Sequence, residues 1–283
     1  MDTNAARLGR RTFVVTSLAT GFALAVSPVG AQTITTDATG LVAGEVKIGG
    51  MPAYRAMPEG AAKFPLIVVV PEIFGVHEHI KDVCRRLAKA GYMAIAPDLF
   101  ARQGDPTKMT DIGEIISKVV SKTPDEQVMK DLDATVDWAK ASGKLDGDRV
   151  GITGFCWGGR IVWLYSAHNG ASGPRALKAG AAWYGPLSNA TNALQTKTAL
   201  DIGSKQHAPV LGFYGALDTH IPQGQVELMR KELAANPKKL GSEIIVYPDA
   251  QHGFNADYRP SYNKADATDA WQKMLAFMKK NGV

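Results

Sequence analysis

Cysteine is nearly absent from this sequence: Cys84 and Cys156 are its only two. Cys84 falls in the stripe Ile80-x-x-Val83-Cys84-x-x-Leu87-Ala88, whose helical spacing places it in a core, so no disulfide framework is expected. Beyond the first thirty residues there is no apolar run long enough to span a membrane, and no internal repeat. Strong charge is also missing. The formal net charge is +5, and the basic residues are scattered without aromatic interleaving, which excludes nucleic acid as an expected partner. A zinc-hydrolase helix is lacking too: His77-Glu78-His79 begins like HExxH, but Lys81 stands where the second histidine belongs. That cluster reads as a solvated helix start, and neither metal nor cofactor is expected.

What remains is ordinary globular composition, with 45% apolar and 21% charged residues over a length that suits one large domain. Residues 1–31 stand apart. Arg10-Arg11-Thr12-Phe13-Val14, an apolar stretch to Val26 and the small-residue end Val29-Gly30-Ala31 predict a twin-arginine signal peptide, removed to leave a periplasmic protein. Arg7, Arg10 and Arg11 against Asp2 account for two of the positive charges, leaving +3 on the remainder. Residues 32–44 read as a polar linker and 45–283 as a single domain, expected to be a monomer without stable membrane association once the signal is gone.

Strand-like and helix-like segments alternate along that domain. Residues 42–57 suggest one or two edge strands, and the β-branched run Pro65–Pro71 a strand covered on both faces. Helix 78–90, strand 92–97, helix 125–141, strand 148–152 and a helix from Arg160 to His168 follow. Strand 177–184, strand 209–214, helix 223–235, strand 242–247 and helix 263–281 complete the set, with longer excursions at 98–125 and 185–208. This order predicts an α/β fold, a mostly parallel sheet with helices on both faces. Ligands of such sheets bind off the C-terminal strand ends, which selects loops 71–77, 98–105, 154–158, 184–188, 215–222 and 248–259.

The chemistry gathers in those loops. Gly154-Phe155-Cys156-Trp157-Gly158, between an apolar run and a helical pattern, has the form of a nucleophile elbow, G-x-Nu-x-G, with cysteine as the nucleophile. The helix N-terminus beneath the sulfur favours thiolate. A buried structural cysteine in a glycine-rich turn would give the same letters. Asp218 follows strand 209–214 and His252 follows strand 242–247, so the chain order is nucleophile, acid, histidine. Histidine has the pKa to take a thiol proton, and a carboxylate fixes its tautomer. Asp218 would equally serve a turn before Pro222, and His252 could be a satisfied loop histidine. Asp249 and His220 are rivals out of position. The amides of Ile73 and Trp157 form a natural oxyanion pair. Glu72, beside them, is costly to bury unless used or paired. Phe74, Trp157, Tyr184, Phe254 and Tyr258 are candidate apolar pocket walls.

Five pieces in order resemble the dienelactone hydrolases (carboxymethylenebutenolidases), a family of α/β-hydrolases: Glu72-Ile73-Phe74-Gly75, Pro97-Asp98-Leu99-Phe100-Ala101-Arg102, Gly154-Phe155-Cys156-Trp157-Gly158-Gly159, Gly215-Ala216-Leu217-Asp218 and His252-Gly253-Phe254. The resemblance spans roughly residues 45–281. It implies a Cys156–His252–Asp218 triad, an oxyanion hole at Ile73 and Trp157, and a Glu72 that hydrogen-bonds the resting thiol and takes its proton when substrate binds. It also implies that Arg102 is one of two arginines holding a substrate carboxylate. The family's second arginine lies four residues after the histidine, where this chain has Ala256; Arg259, three further on, is the nearest substitute. The expected function is a cofactor-free hydrolase that opens a lactone or cleaves a small ester through a thioacyl-enzyme. The alternatives are a broad carboxylesterase or thioesterase on neutral acyl groups, and a thiol-redox or binding protein without turnover.

Overall fold

The computed structural model describes residues 33–170, 172–173, 175–188 and 191–283. The expected signal peptide, residues 1–31, lies outside them. The described chain forms an eight-stranded sheet ordered β1-β2-β4-β3-β5-β6-β7-β8. Its strands are β1 (Leu41–Ile48), β2 (Met51–Pro58), β3 (Phe64–Val70), β4 (Met93–Pro97), β5 (Leu145–Phe155), β6 (Ala179–Trp183), β7 (Val210–Gly215) and β8 (Glu243–Tyr247). The β1–β2 hairpin and the β2–β4 pair are antiparallel; every pair from β4 to β8 is parallel. Strands β4, β6 and β7 are buried along their whole length, as parallel strands covered on two faces must be. Edge strand β1 is mostly accessible between its buried ends.

Five longer helices cover the sheet: α1 (Glu78–Lys89), α2 (Asp125–Ala141), α3 (Trp157–His168), α4 (Gln223–Ala235) and α5 (Lys264–Lys280). A Cβ on Gly151 of β5 would touch Met278 of α5. The next residue, Ile152, is in register with Gly180, whose Cβ would touch Val162 of α3. Successive residues of a strand point to opposite faces, so α3 and α5 lie on opposite sides of the sheet.

Two expectations change here. The excursion 98–125 carries four short helical turns, Pro106–Lys108, Ile112–Glu114, a wide π turn at Ile115–Val119, and Val120–Lys122. Residues 33–44 are no free linker: β1 begins at Leu41, and the segment before it is tied to α1. Thr36 donates its amide to Asp82, Arg85 donates to the Thr36 carbonyl at 2.7 Å, and Ile34 donates its amide to Asp257 at 3.2 Å. Asp82 explains this docking. It is 2% exposed and also binds Arg85 and Arg86, so a buried carboxylate gathers two guanidiniums and a backbone amide.

Removing one partner of such a cluster leaves buried charge uncompensated. Asp82→Ala is expected to lower unfolding free energy by about 3 kcal/mol, read as a lower guanidinium midpoint at unchanged slope.

Candidate active site

The elbow forms because two backbones approach without side chains between them. A Cβ on Gly154 would sit 2.3 Å from the Gly158 carbonyl, and one on Gly158 would sit 2.4 Å from the Val70 carbonyl of β3. The tight turn holds Cys156 at φ 53°, a left-handed conformation that bulky residues rarely adopt. Its amide is spent on the Trp183 carbonyl of β6 at 3.0 Å, and α3 starts immediately after, at Trp157 rather than Arg160. The sulfur therefore stands at the positive end of that helix.

Asp218 and His252 meet because the loops after β7 and β8 are joined: Leu217 donates its amide to the Ala250 carbonyl at 3.0 Å, and a Cβ on Gly215 would lie 2.2 Å from that same carbonyl. His252 Nδ1 lies 2.8 Å from Asp218 Oδ2. Asp218 Oδ1 accepts the amides of His220 and Ile221 at 2.8 and 3.3 Å, so the carboxylate is held from both sides. The Cys156 side chain lies close enough to the ring to interact with it electrostatically. Burial opposes a charge on His252, yet the charge and hydrogen bond of Cys156, with those of Asp218, push its pKa up to about 10. Tyr184 packs its ring edge-on to His252 from beneath, with centroids 5.2 Å apart, and is fully buried.

Above Cys156 opens a cavity of about 430 Å³. Ile73, Phe74, Trp157, His252 and Arg259 line it. The amides of Ile73 and Trp157 donate to no backbone carbonyl in the described loops, and that of Trp157, first in its helix, has no intrahelical acceptor. His220 also lines the cavity, edge-on to His252 with centroids 5.2 Å apart. Loop 215–222 is among those expected at the site, and the stretch after Asp218 folds back to bring His220 over the ring.

Other expected residues fall elsewhere. Arg102 is not at this cavity: it pairs with Asp131 of α2, its side chain half exposed, and lines a separate surface depression with Pro124 and Lys130. The cause is the acid on α2, which captures the guanidinium as the loop after β4 turns outward. Phe254 is core, fully buried against Trp183, Tyr184 and Tyr247. Glu72 is 1% exposed, but no hydrogen bond joins it to the thiol among the described residues. Its Oε2 accepts from the Tyr258 hydroxyl, while His77 and Arg259 each stand 3.9 Å from the carboxylate. Burial alone would raise its pKa; Arg259, His77, His79 and the Tyr258 hydroxyl together bring it below the ordinary value.

Nor are His77 and His79 a solvated helix start. His79 is buried and His77 half-buried, their rings are stacked with centroids 6.0 Å apart, and each rests against the Tyr258 ring. His79 Nδ1 bonds Asp257 at 3.0 Å, and Asp257 binds Arg86 in turn. The sequence signal was the acid–aromatic–arginine run Asp257-Tyr258-Arg259, which faces these histidines across the site floor. Among the described residues no group of three or more His, Cys, Asp or Glu is placed to hold a metal, and no helix is long and apolar enough to cross a membrane.

Comparison with known proteins agrees with this arrangement. Residues 51–282 match the model of the dienelactone hydrolase family. A protein of Methylorubrum extorquens, named "Putative carboxymethylenebutenolidase", is 57% identical over 281 residues, covering 98% of this chain and 94% of its own. One of the same name from Escherichia coli strain K12 is 50% identical over 275 residues, covering 95% and 98%. A crystal structure from Klebsiella pneumoniae, described as a "Putative Dienelactone Hydrolase", superposes with a TM-score of 0.79 at 52% identity, over 85% of this chain and 99% of that one.

A buried carboxylate held below its unfolded pKa stabilises the fold at higher pH, and that contribution is lost as pH falls through the folded value. Tyr258→Phe removes the hydrogen bond that the Glu72 carboxylate accepts from the Tyr258 hydroxyl. It is expected to cost about 2 kcal/mol at neutral pH, with the gap to the wild type closing as pH drops below about 4. Denaturant midpoints at both pH values check it.

Proposed function

Because this chain belongs to the dienelactone hydrolase family, we propose that it opens a lactone or cleaves a small carboxylic ester through a thioacyl-enzyme on Cys156. The observation that carries this reading is that Cys156 and His252 line one cavity while His252 is hydrogen-bonded to Asp218 behind it. The names of its relatives, carboxymethylenebutenolidases, point to the same bond type.

Cys156 passes its proton to His252, whose raised pKa holds it on the ring. Cys156 Sγ attacks the carbonyl carbon and the π electrons move to oxygen. The amides of Ile73 and Trp157 receive that oxyanion. Collapse expels the alkoxide, which takes the proton from His252 Nε2; in a lactone it stays tethered as a hydroxyl. Acylation removes the negative charge on sulfur, first among the causes that raise the histidine pKa. The ring then becomes a competent base. It takes a proton from water, the hydroxide attacks the thioester, and the second tetrahedral intermediate releases acid and thiolate. Asp218 keeps Nδ1–H pointed at itself throughout, which leaves Nε2 for the sulfur and the water.

Glu72 has a different part in this scheme from the one its family resemblance implies. Bonded to Tyr258 and beside Arg259, it serves as a fixed buried charge, and the thiol proton goes to His252. The Arg10-Arg11 pattern and the Val29-Gly30-Ala31 end support a periplasmic site of action for the processed chain, acting alone on a small molecule.

With an aryl ester and a dienelactone as substrates, Cys156→Ala is expected to lose at least about a thousandfold in kcat/KM. His252→Ala should lose activity to a similar extent, since acylation and deacylation both use the ring. Acylation needs the imidazolium proton, so kcat/KM should hold through neutral pH and fall as pH rises through about 10. A Cys156→Ala variant that keeps its rate would falsify the nucleophile assignment.

A further inference from the structure

Arg160, Arg259 and His252, which line the cavity, each have an acidic neighbour. Arg160 forks onto Asp125 at 2.7 and 2.8 Å and donates to the Lys197 carbonyl at 2.6 Å. Arg259 stands over the Glu72 carboxylate, and His252 is held by Asp218. Arg102 has left for Asp131. A substrate carboxylate entering here would lose its water and meet cations that already face acids, with the negative charge of Glu72 3.9 Å behind Arg259.

The opposite wall is apolar by construction. In the turns between β4 and α2, Ile115 and Val119 are buried in the core, 0% and 2% exposed. Ile112 and Ile116 are 41% and 47% exposed and line the cavity, joined by Val120. Isoleucines four apart share a helical face, so this surface turn is apolar on two faces, one inward and one towards Cys156. Large side chains left half open on the wall of a site are what a ligand's apolar part would cover. The wall is anchored, since Gln195 donates to the Val120 and Thr123 carbonyls at 2.6 and 3.1 Å. The π turn at Ile115–Val119 widens the backbone where Ile116 projects.

We infer that the substrate is a neutral ester or lactone carrying an apolar chain or ring of several carbons, seated against Ile112, Ile116 and Val120, and not a small anionic lactone. This rests on the Cys156 acyl-enzyme reading and adds the substrate class. Specificity lies in the 112–120 wall, with Ile112 and Ile116 as the determining side chains.

The test compares aryl acetate, butyrate and hexanoate with the aryl hemiester of glutaric acid, which is similar in length but ends in a carboxylate. The enzymes are the wild type, Cys156→Ala and the double variant Ile112→Ser/Ile116→Ser. Burying a methylene corresponds to about a fourfold gain, so hexanoate should exceed acetate in kcat/KM by at least about tenfold, and exceed the hemiester by as much. The double variant should reduce the hexanoate-to-acetate ratio about tenfold. That ratio cancels any loss of active protein. Equal rates for acetate and hexanoate, a hemiester that wins, or a ratio unmoved by the double variant each overturn the inference, as does failure to hydrolyse any of them. The nucleophile is judged separately: if Cys156→Ala retains the rate, that reading falls, while the wild-type chain-length series still decides the substrate class.

Discussion

The site depends on a backbone contact that no side chain could occupy. The Gly158 α-carbon lies against the Val70 carbonyl, and Gly154 against Gly158, with less than the space of a methyl group between them. This contact forces Cys156 into its left-handed conformation and starts α3 one residue later. One constraint thus sets three things together. The sulfur leaves the sheet at the end of β5, the Trp157 amide is left without an intrahelical acceptor, and the loop after β3, with Ile73, is held alongside. The strain at Cys156 is sustained because β5 lies between β3 and β6 and is registered to both.

A second constraint is electrostatic. Burying Glu72, His77, His79, Asp257 and Arg259 around one tyrosine would be prohibitive for any of them alone. Here each charge faces an opposite one or a hydroxyl, and the series continues through Arg86 and Asp82 to the backbone of Thr36. The floor of the site and the N-terminal segment of the described chain therefore share one charge network. His77, pushed down to about 4 chiefly by burial and by its neighbour His79, stays neutral, so the network needs no further anion.

Much of this was legible in the sequence, for identifiable reasons. Strands such as β3 announce themselves by β-branched runs. Helices α2 and α4 fall at the expected residues because Pro124 and Pro222 stand immediately before them. The elbow is legible because its glycines are obligatory. Cys156, Asp218 and His252 follow from strand order alone. What stayed hidden depends on partners distant in sequence. Nothing local to Arg102 shows that Asp131 waits on α2, and nothing at His77-Glu78-His79 shows that residues 257–259 close over it. The family motif placed Glu72 beside the thiol, but its partner Tyr258 comes from a loop 186 positions away. A motif specifies where the backbone goes, whereas long charged side chains are settled by which opposite charge the tertiary fold brings nearest.

Arg102 shows why that distinction matters for chemistry. The same loop sequence that resembles a carboxylate-binding arm supplies no charge to the cavity once Asp131 holds it, and Arg259 arrives already facing Glu72. With those cations facing acids, the apolar lining, Ile112, Ile116 and Val120 among it, contributes through area removed from water and has no preference for charge. The catalytic half of the site is set by the sheet and is rigid. The proposed selecting half lies in the long excursion between β4 and α2, on a segment separate from those that carry Cys156, His252 and Asp218. A fold built this way can keep the acyl-transfer centre proposed at Cys156 while the turns above it change.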